Sequence, residues 1–269
     1  METNNTFSLP RLGLYMKKQL VANYKFYLLA VIGLFLLMTL VGVLIVVLGH
    51  YSTTQKHMMP AYYLFLCFSL VLFTCRSFQE LGGKETGVDF LMLPASQFEK
   101  FFSQLLITTV GFMLVFHLCA FMAFEIAGLV HRAIYDTSIP LDFPLFSHPD
   151  EKIYIYVGAM IGQAMFLLGS SYFHKFSYLK TFLSIVVLAA AFALLNSLFL
   201  QIIFGGNMYH WSAQLPFVLI GAKDPANDHS AVMYIIPESL QHGYLFIVKF
   251  LLAPILWTLA YFRLKDQEI

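Results

Sequence analysis

Glu125 and Lys249 carry opposite charges inside long apolar runs of this sequence. Each lies about five residues from the outer end of its run, so at about 1.5 Å per residue both sit roughly 8 Å below the same surface. Equal depth allows an intramembrane ion pair, since a charge left in lipid costs about 2.5 kcal/mol or more. Snorkelling is the competing reading, with Lys249 reaching water along its own stem and Glu125 ending a lipid-exposed run. His117, Cys119 and Glu125 share one run and raise nucleophilic catalysis, a thiolate with imidazole as its base. Residues two apart on a helix point to different faces, so His117 and Cys119 do not share a proton there and Cys119 reads as core packing. A P-loop cradle for nucleotide phosphates is excluded more directly. Gly82-Gly83-Lys84-Glu85 lacks the first glycine spacing of a P-loop and the hydroxyl after its lysine.

The elements that must hold these residues are set by composition. Of 269 residues, 59% are hydrophobic, 17% aromatic and 12% charged, and the mean hydropathy is +0.73. A soluble domain of this size carries roughly a quarter of its residues charged, so the chain belongs in a membrane. Sixteen basic and fifteen acidic residues leave a formal net charge of +1, no bulk field for holding nucleic acid. Cys67, Cys75 and Cys119 are odd in number and sit in apolar runs, which implies no disulfide framework.

A bilayer core asks for about 20 apolar residues per helix. Six stretches approach that length, at approximately 26–49, 59–76, 101–130, 153–173, 179–205 and 244–262. The second is the shortest. The first run is longer than a signal-peptide core and follows a polar stretch, so it is expected to stay as a span. The expected fold is all-α, a single membrane domain over 1–269. Orientation follows from Lys and Arg. With the N-terminus cytoplasmic, Arg11, Lys17, Lys18, Lys25, Arg76, Lys84, Lys100, Lys175, Lys180, Arg263 and Lys265 fall inside, and only Lys56, Arg132, Lys152 and Lys223 fall in outer loops. Both termini are therefore expected inside. Residues 8–25 mix apolar side chains with Lys17, Lys18 and Lys25, which fits either a helix in the inner interface or a basic flank anchoring the first span.

Outside, the short apolar runs Leu215–Ile220 and Val232–Ile236 read as interfacial or re-entrant pieces. Seven of the nine histidines, with Met58, Met59 and Met208 nearby, also fall there. Imidazole and thioether suit copper or zinc, but no pair has i, i+4 spacing, so no metal or cofactor is assigned. Gln163, Asn196 and Gln201 read as side chains that bond between helices.

The most structured polar segment is the inner loop at 77–100. Gly82 and Gly83 break the helix leaving the membrane, and Thr86 with Asp89 has capping-box spacing for a short helix that Pro94 closes. Ser96 with Glu99 repeats that spacing just before the third apolar run, which makes Ser96 its N-cap and puts Lys100 at the membrane edge. Val88, Phe90, Leu91, Met92 and Leu93 are more apolar than a solvated loop requires, and need a membrane surface or a partner to cover them.

The phrase FLMLPASQFEKFFSQLL, Phe90 to Leu106, resembles the "LPAS...EKF" signature between the second and third spans of ABC-2-type transporter permeases, especially those of the Bacteroidetes. The interfacial helix, six spans and cytoplasmic ends resemble that family's layout as well. The resemblance implies a permease subunit of a bacterial inner membrane that pairs with an identical or related permease and with separate ATP-binding subunits. It implies that the 77–100 loop acts as a coupling helix, with Lys84, Glu85, Asp89, Phe90, Leu91, Pro94, Ser96 and Glu99 at the ATPase contact and no catalytic residue in this chain. The outer segment before the sixth span is longer than the family pattern. Two readings from other classes stand beside it: an integral-membrane enzyme acting on lipid-linked substrates through Glu125, Asp136 or a histidine, and a membrane scaffold or sensor. Against the enzyme stands the lack of a clustered acid, base and nucleophile.

Overall fold

The structure is a computed structural model that describes residues 7–49, 54–83, 93, 95–136, 149–173, 175–204, 219–224, 227–235 and 237–266. Its helices are α1 (Leu9–Ala22), α2 (Tyr24–Leu48), α3 (Thr54–Thr74), α4 (Gln97–Tyr135), α5 (Pro149–Tyr172), α6 (Ser177–Phe204) and α7 (Glu238–Lys265). Five of them, α2, α4, α5, α6 and α7, are long and apolar enough to cross a membrane, and α3 contributes a shorter apolar helix over Met58–Thr74. This is the architecture of a multi-pass helical membrane protein.

Helix ends depart from the ends of the apolar runs for a physical reason. Hydropathy marks the length that sits in hydrocarbon, whereas a helix continues until a cap or a breaker stops it. The run expected at 101–130 is the middle of α4, which starts at the Ser96 cap and ends where Asp136 adopts a left-handed conformation, φ 52°. The run expected at 244–262 likewise lies within α7.

By its contacts the chain divides into two compact units, Met1–Tyr178 with Leu256–Ile269, and Leu179–Ile255. In the first unit α2 and α4 pack closely. Gly42 of α2 faces Ala127 of α4, and a Cβ placed on that glycine would lie 3.5 Å from the alanine's. Ala120, Ala123 and Ala127, all buried, continue this small-residue face along α4, the means by which helix backbones approach in a membrane. Met38, Val46, Met58, Tyr62, Leu66, Leu70 and Phe116 complete the core around them. The Tyr135 hydroxyl donates to the Gly49 carbonyl at 2.9 Å and so satisfies a group at the end of α2.

Two π-turns interrupt long helices, Ile107–Gly111 in α4 and Ile247–Leu251 in α7. In the first, the Thr108 and Thr109 hydroxyls donate back to the carbonyls of Gln104 and Leu105, re-satisfying acceptors where the regular ladder shifts.

The second unit holds most of α6, the start of α7 and a β-hairpin. Strands β1 (Leu219–Asp224) and β2 (Asn227–Ile235) pair antiparallel, Ile220 opposite Tyr234 and Ala222 opposite Val232. Of the runs read as interfacial or re-entrant pieces, Leu215–Ile220 and Val232–Ile236, residues 219–220 fall in β1 and 232–235 in β2, and the rest lie outside the described residues. Pairing satisfies the backbone groups that each strand turns toward the other. On α6, Leu188 and Ile202 are 72% and 81% exposed, surface suited to acyl chains.

Candidate functional site

The stems of the 77–100 loop converge at one end of the first unit. Ser96 and Glu99 form the reciprocal cap their spacing called for. The Ser96 hydroxyl accepts from the Glu99 N–H at 3.2 Å, and the Glu99 Oε2 accepts from the Ser96 N–H at 2.9 Å. The second carboxylate oxygen reaches further. Oε1 accepts from the Ser8 N–H at 2.7 Å and from the Arg11 Nη2 at 3.1 Å. One fully buried carboxylate thus caps α4 and fastens the start of α1 to it. Three hydrogen bonds to the carboxylate, from Ser96, Ser8 and Arg11, offset the cost of burying the charge.

An apolar cluster surrounds this junction. Tyr15 of α1, Phe78 after α3, Phe101 of α4, Leu167 of α5, and Ala260 and Leu264 of α7 are buried together, with Leu81, Leu93 and Ala95 packed against them. Phe78 and Phe101 stack with ring centroids 6.4 Å apart, and Tyr261 lies 5.7 Å edge-on to Phe101. Both stems of the loop, a 3₁₀ turn at Gln79–Gly82 and the residues Leu93 and Ala95, are therefore tied to four helices at once, α1, α4, α5 and α7. Helix α1 buries Leu12, Tyr15 and Gln19 at helical spacing and exposes Lys17 and Lys18, the amphipathic pattern of an interfacial helix. Asn23 separates it from α2, its N–H donating to the Gln19 carbonyl at 3.2 Å.

Of the residues singled out in the sequence, Ser96 and Glu99 lie at this junction, and Lys100 beside them is buried. Lys84, Glu85, Asp89, Phe90, Leu91 and Pro94 lie outside the described residues, as does the short helix expected between Thr86 and Pro94. Arg11 and Ser8 were not foreseen as parts of the site. The signal for Arg11 was only its membership of a basic, amphipathic stretch.

Two polar ties hold the helices deeper in the bundle. The Gln163 amide, fully buried, donates to the Thr108 hydroxyl at 3.1 Å, and its Oε1 accepts from the Trp257 indole N–H at 2.9 Å. It joins α5 to the π-turn of α4 and to α7, so Gln163 bonds between helices as read from the sequence. In the second tie the Tyr62 and Tyr156 hydroxyls lie 2.8 Å apart, the Tyr156 hydroxyl lies 3.1 Å from His117 Nε2, and His117 Nδ1 lies 2.6 Å from the Met113 carbonyl. A carbonyl only accepts, so Nδ1 bears the proton in neutral His117; Nε2 then accepts from Tyr156, which accepts from Tyr62. This engagement takes His117 away from Cys119, which is buried as a free thiol.

Glu125 is exposed on α4, and Lys249 stands in the π-turn of α7, in the other unit. Among the described residues, no group of three His, Cys, Asp or Glu side chains is placed to hold a metal ion. Set against known proteins, the chain matches no family model, no curated protein and no solved structure.

Proposed function

We propose that this chain is the membrane-spanning permease subunit of an ABC-2-type, ATP-driven exporter of a bacterial inner membrane. In this reading it has six spans, with α3 as the second, and both termini are cytoplasmic. It works as a dimer with an identical or related permease, and ATP hydrolysis belongs to a separate subunit bound at the 77–100 loop. The observation that carries the reading is the anchoring of both loop stems on Glu99, Phe78 and Phe101. A push on a loop held this way moves α1, α3, α4 and α7 together rather than being absorbed by a slack linker. Lys84, Glu85, Asp89, Phe90, Leu91 and Pro94 supply the contact surface, and Ser96 and Glu99 hold its base.

The test is a gentle-detergent pull-down of the full chain from its own host with mass spectrometry of what accompanies it. An ATP-binding subunit in near-stoichiometric amount, lost in Phe90→Asp while membrane insertion persists, is the expected result. Recovery of the protein alone, or an ATPase retained at full amount by Phe90→Asp, overturns the coupling role of the loop.

A further inference from the structure

A groove of 1510 Å³ opens on the first unit between α1, α2, α3, α4 and the turn after α5. Its walls are almost wholly apolar, with Phe26, Leu34, Phe65, Phe73 and Val115 among them. At about 300–1,000 Å³, sites for small molecules are smaller than this. Along α2 the groove extends from Phe26 to Leu37, which at about 1.5 Å per residue is about 16 Å. One leaflet of hydrocarbon is about 15 Å, half of a core about 30 Å thick. The groove is therefore as deep as one leaflet.

Its charge lies at one end only. Arg76 and Lys175 line the mouth, where α3 ends and α5 turns into α6, and among the described residues none that lines the groove is acidic. The Arg76 guanidinium stacks over the Phe26 ring, 3.9 Å from its centroid, which fixes its plane and leaves its N–H edge for an anion. Beside Lys175, Phe176 holds a left-handed backbone, φ 53°. That conformation is costly for a bulky residue and is typical of positions that neighbouring structure or a ligand holds in place.

We infer that this groove binds an anionic glycerophospholipid of the leaflet on the Arg76 side, its phosphate between Arg76 and Lys175 and an acyl chain along α2 and α4. A cationic mouth over a leaflet-deep apolar wall matches both ends of that molecule, and a zwitterionic lipid gains nothing from the second cation. The inference rests on the membrane placement of the chain and not on its pairing with an ATPase.

Native mass spectrometry of the delipidated full chain tests it, with phosphatidylglycerol and phosphatidylcholine of equal chain length as probes. Phosphatidylglycerol is expected to bind about thirtyfold more tightly, the effect of two near-surface cations. Arg76→Gln with Lys175→Gln removes that preference, and Lys17→Gln with Lys18→Gln, the same charge change on the exposed face of α1, leaves it. Gly33→Phe fills the groove, since nothing lies within 4 Å of a Cβ at Gly33, and weakens both lipids. Equal binding of the two lipids, or a preference that survives loss of Arg76 and Lys175, overturns the inference. So does free glycerol phosphate competing as well as the lipid, or a co-purified peptide in the groove. The assay reads no ATPase, so its failure and that of the permease reading are separate results.

Discussion

The Glu99 carboxylate stands 3.1 Å from the Arg11 guanidinium while also closing the cap on its own helix. A single side chain therefore sets where α4 begins and where α1 docks. Replacing Glu99 by Ala takes the acceptor from the N–H groups of Ser8 and Ser96 and one partner from Arg11, and is expected to cost about 1–3 kcal/mol. Arg11→Ala leaves two donors on the carboxylate and costs less. Denaturation of the detergent-solubilised variants in graded SDS checks the order.

Gln163 is the shared partner of Thr108 and Trp257. Gln163→Leu keeps the volume and removes both bonds, at about 0.6–1.7 kcal/mol each by the range seen for bonds between membrane helices. The sequence has two tryptophans, so in a Trp211→Phe background the emission reports on Trp257. A blue shift with a lowered unfolding temperature is expected; unchanged emission means the indole is bonded elsewhere.

Tyr156 occupies the middle of the chain from Tyr62 to His117, and Tyr62 its end. Tyr156→Phe removes a partner of Tyr62 on one side and of His117 on the other, whereas Tyr62→Phe removes a donor alone. The first is expected to be about 1 kcal/mol more destabilising than the second. Thermal unfolding of both variants and of the double variant, which should cost little more than Tyr156→Phe, decides this.

Gly42 distinguishes close packing from overlap. An added Cβ meets Ala127 at ordinary van der Waals distance, 3.5 Å, and the Met58 Cε at 3.9 Å. Gly42→Ala is therefore tolerated and gains helix propensity, up to about 1 kcal/mol. Gly42→Leu forces α2 away from α4 at about 1–3 kcal/mol. Thermal stability of the two variants should move in opposite directions.

The parts of the site legible in the sequence are those fixed by neighbours along the chain. Ser96 and Glu99 are three residues apart, and a cap depends on nothing further away. Partners supplied by packing are not legible. Arg11 is 88 residues from Glu99, and Trp257 is 94 from Gln163; many residues of the same type could have filled either role. The π-turn at Ile107–Gly111 was hidden too, because apolar residues with two threonines read as ordinary helix.

The sequence by itself determined that the chain is a helical membrane protein. Too few charges exist to cover a water-facing surface, and in hydrocarbon a run of about 20 apolar residues satisfies its backbone only by coiling on itself. It determined the start of α4 as well, through one local cap. The tertiary structure alone decided which helix faces meet, that both loop stems rest on one buried carboxylate and one aromatic cluster, and that Leu219–Asp224 pairs with Asn227–Ile235. Apolar helices are alike to lipid, so what selects among their pairings is side-chain fit and the few polar bonds between them, neither of which one-dimensional order records.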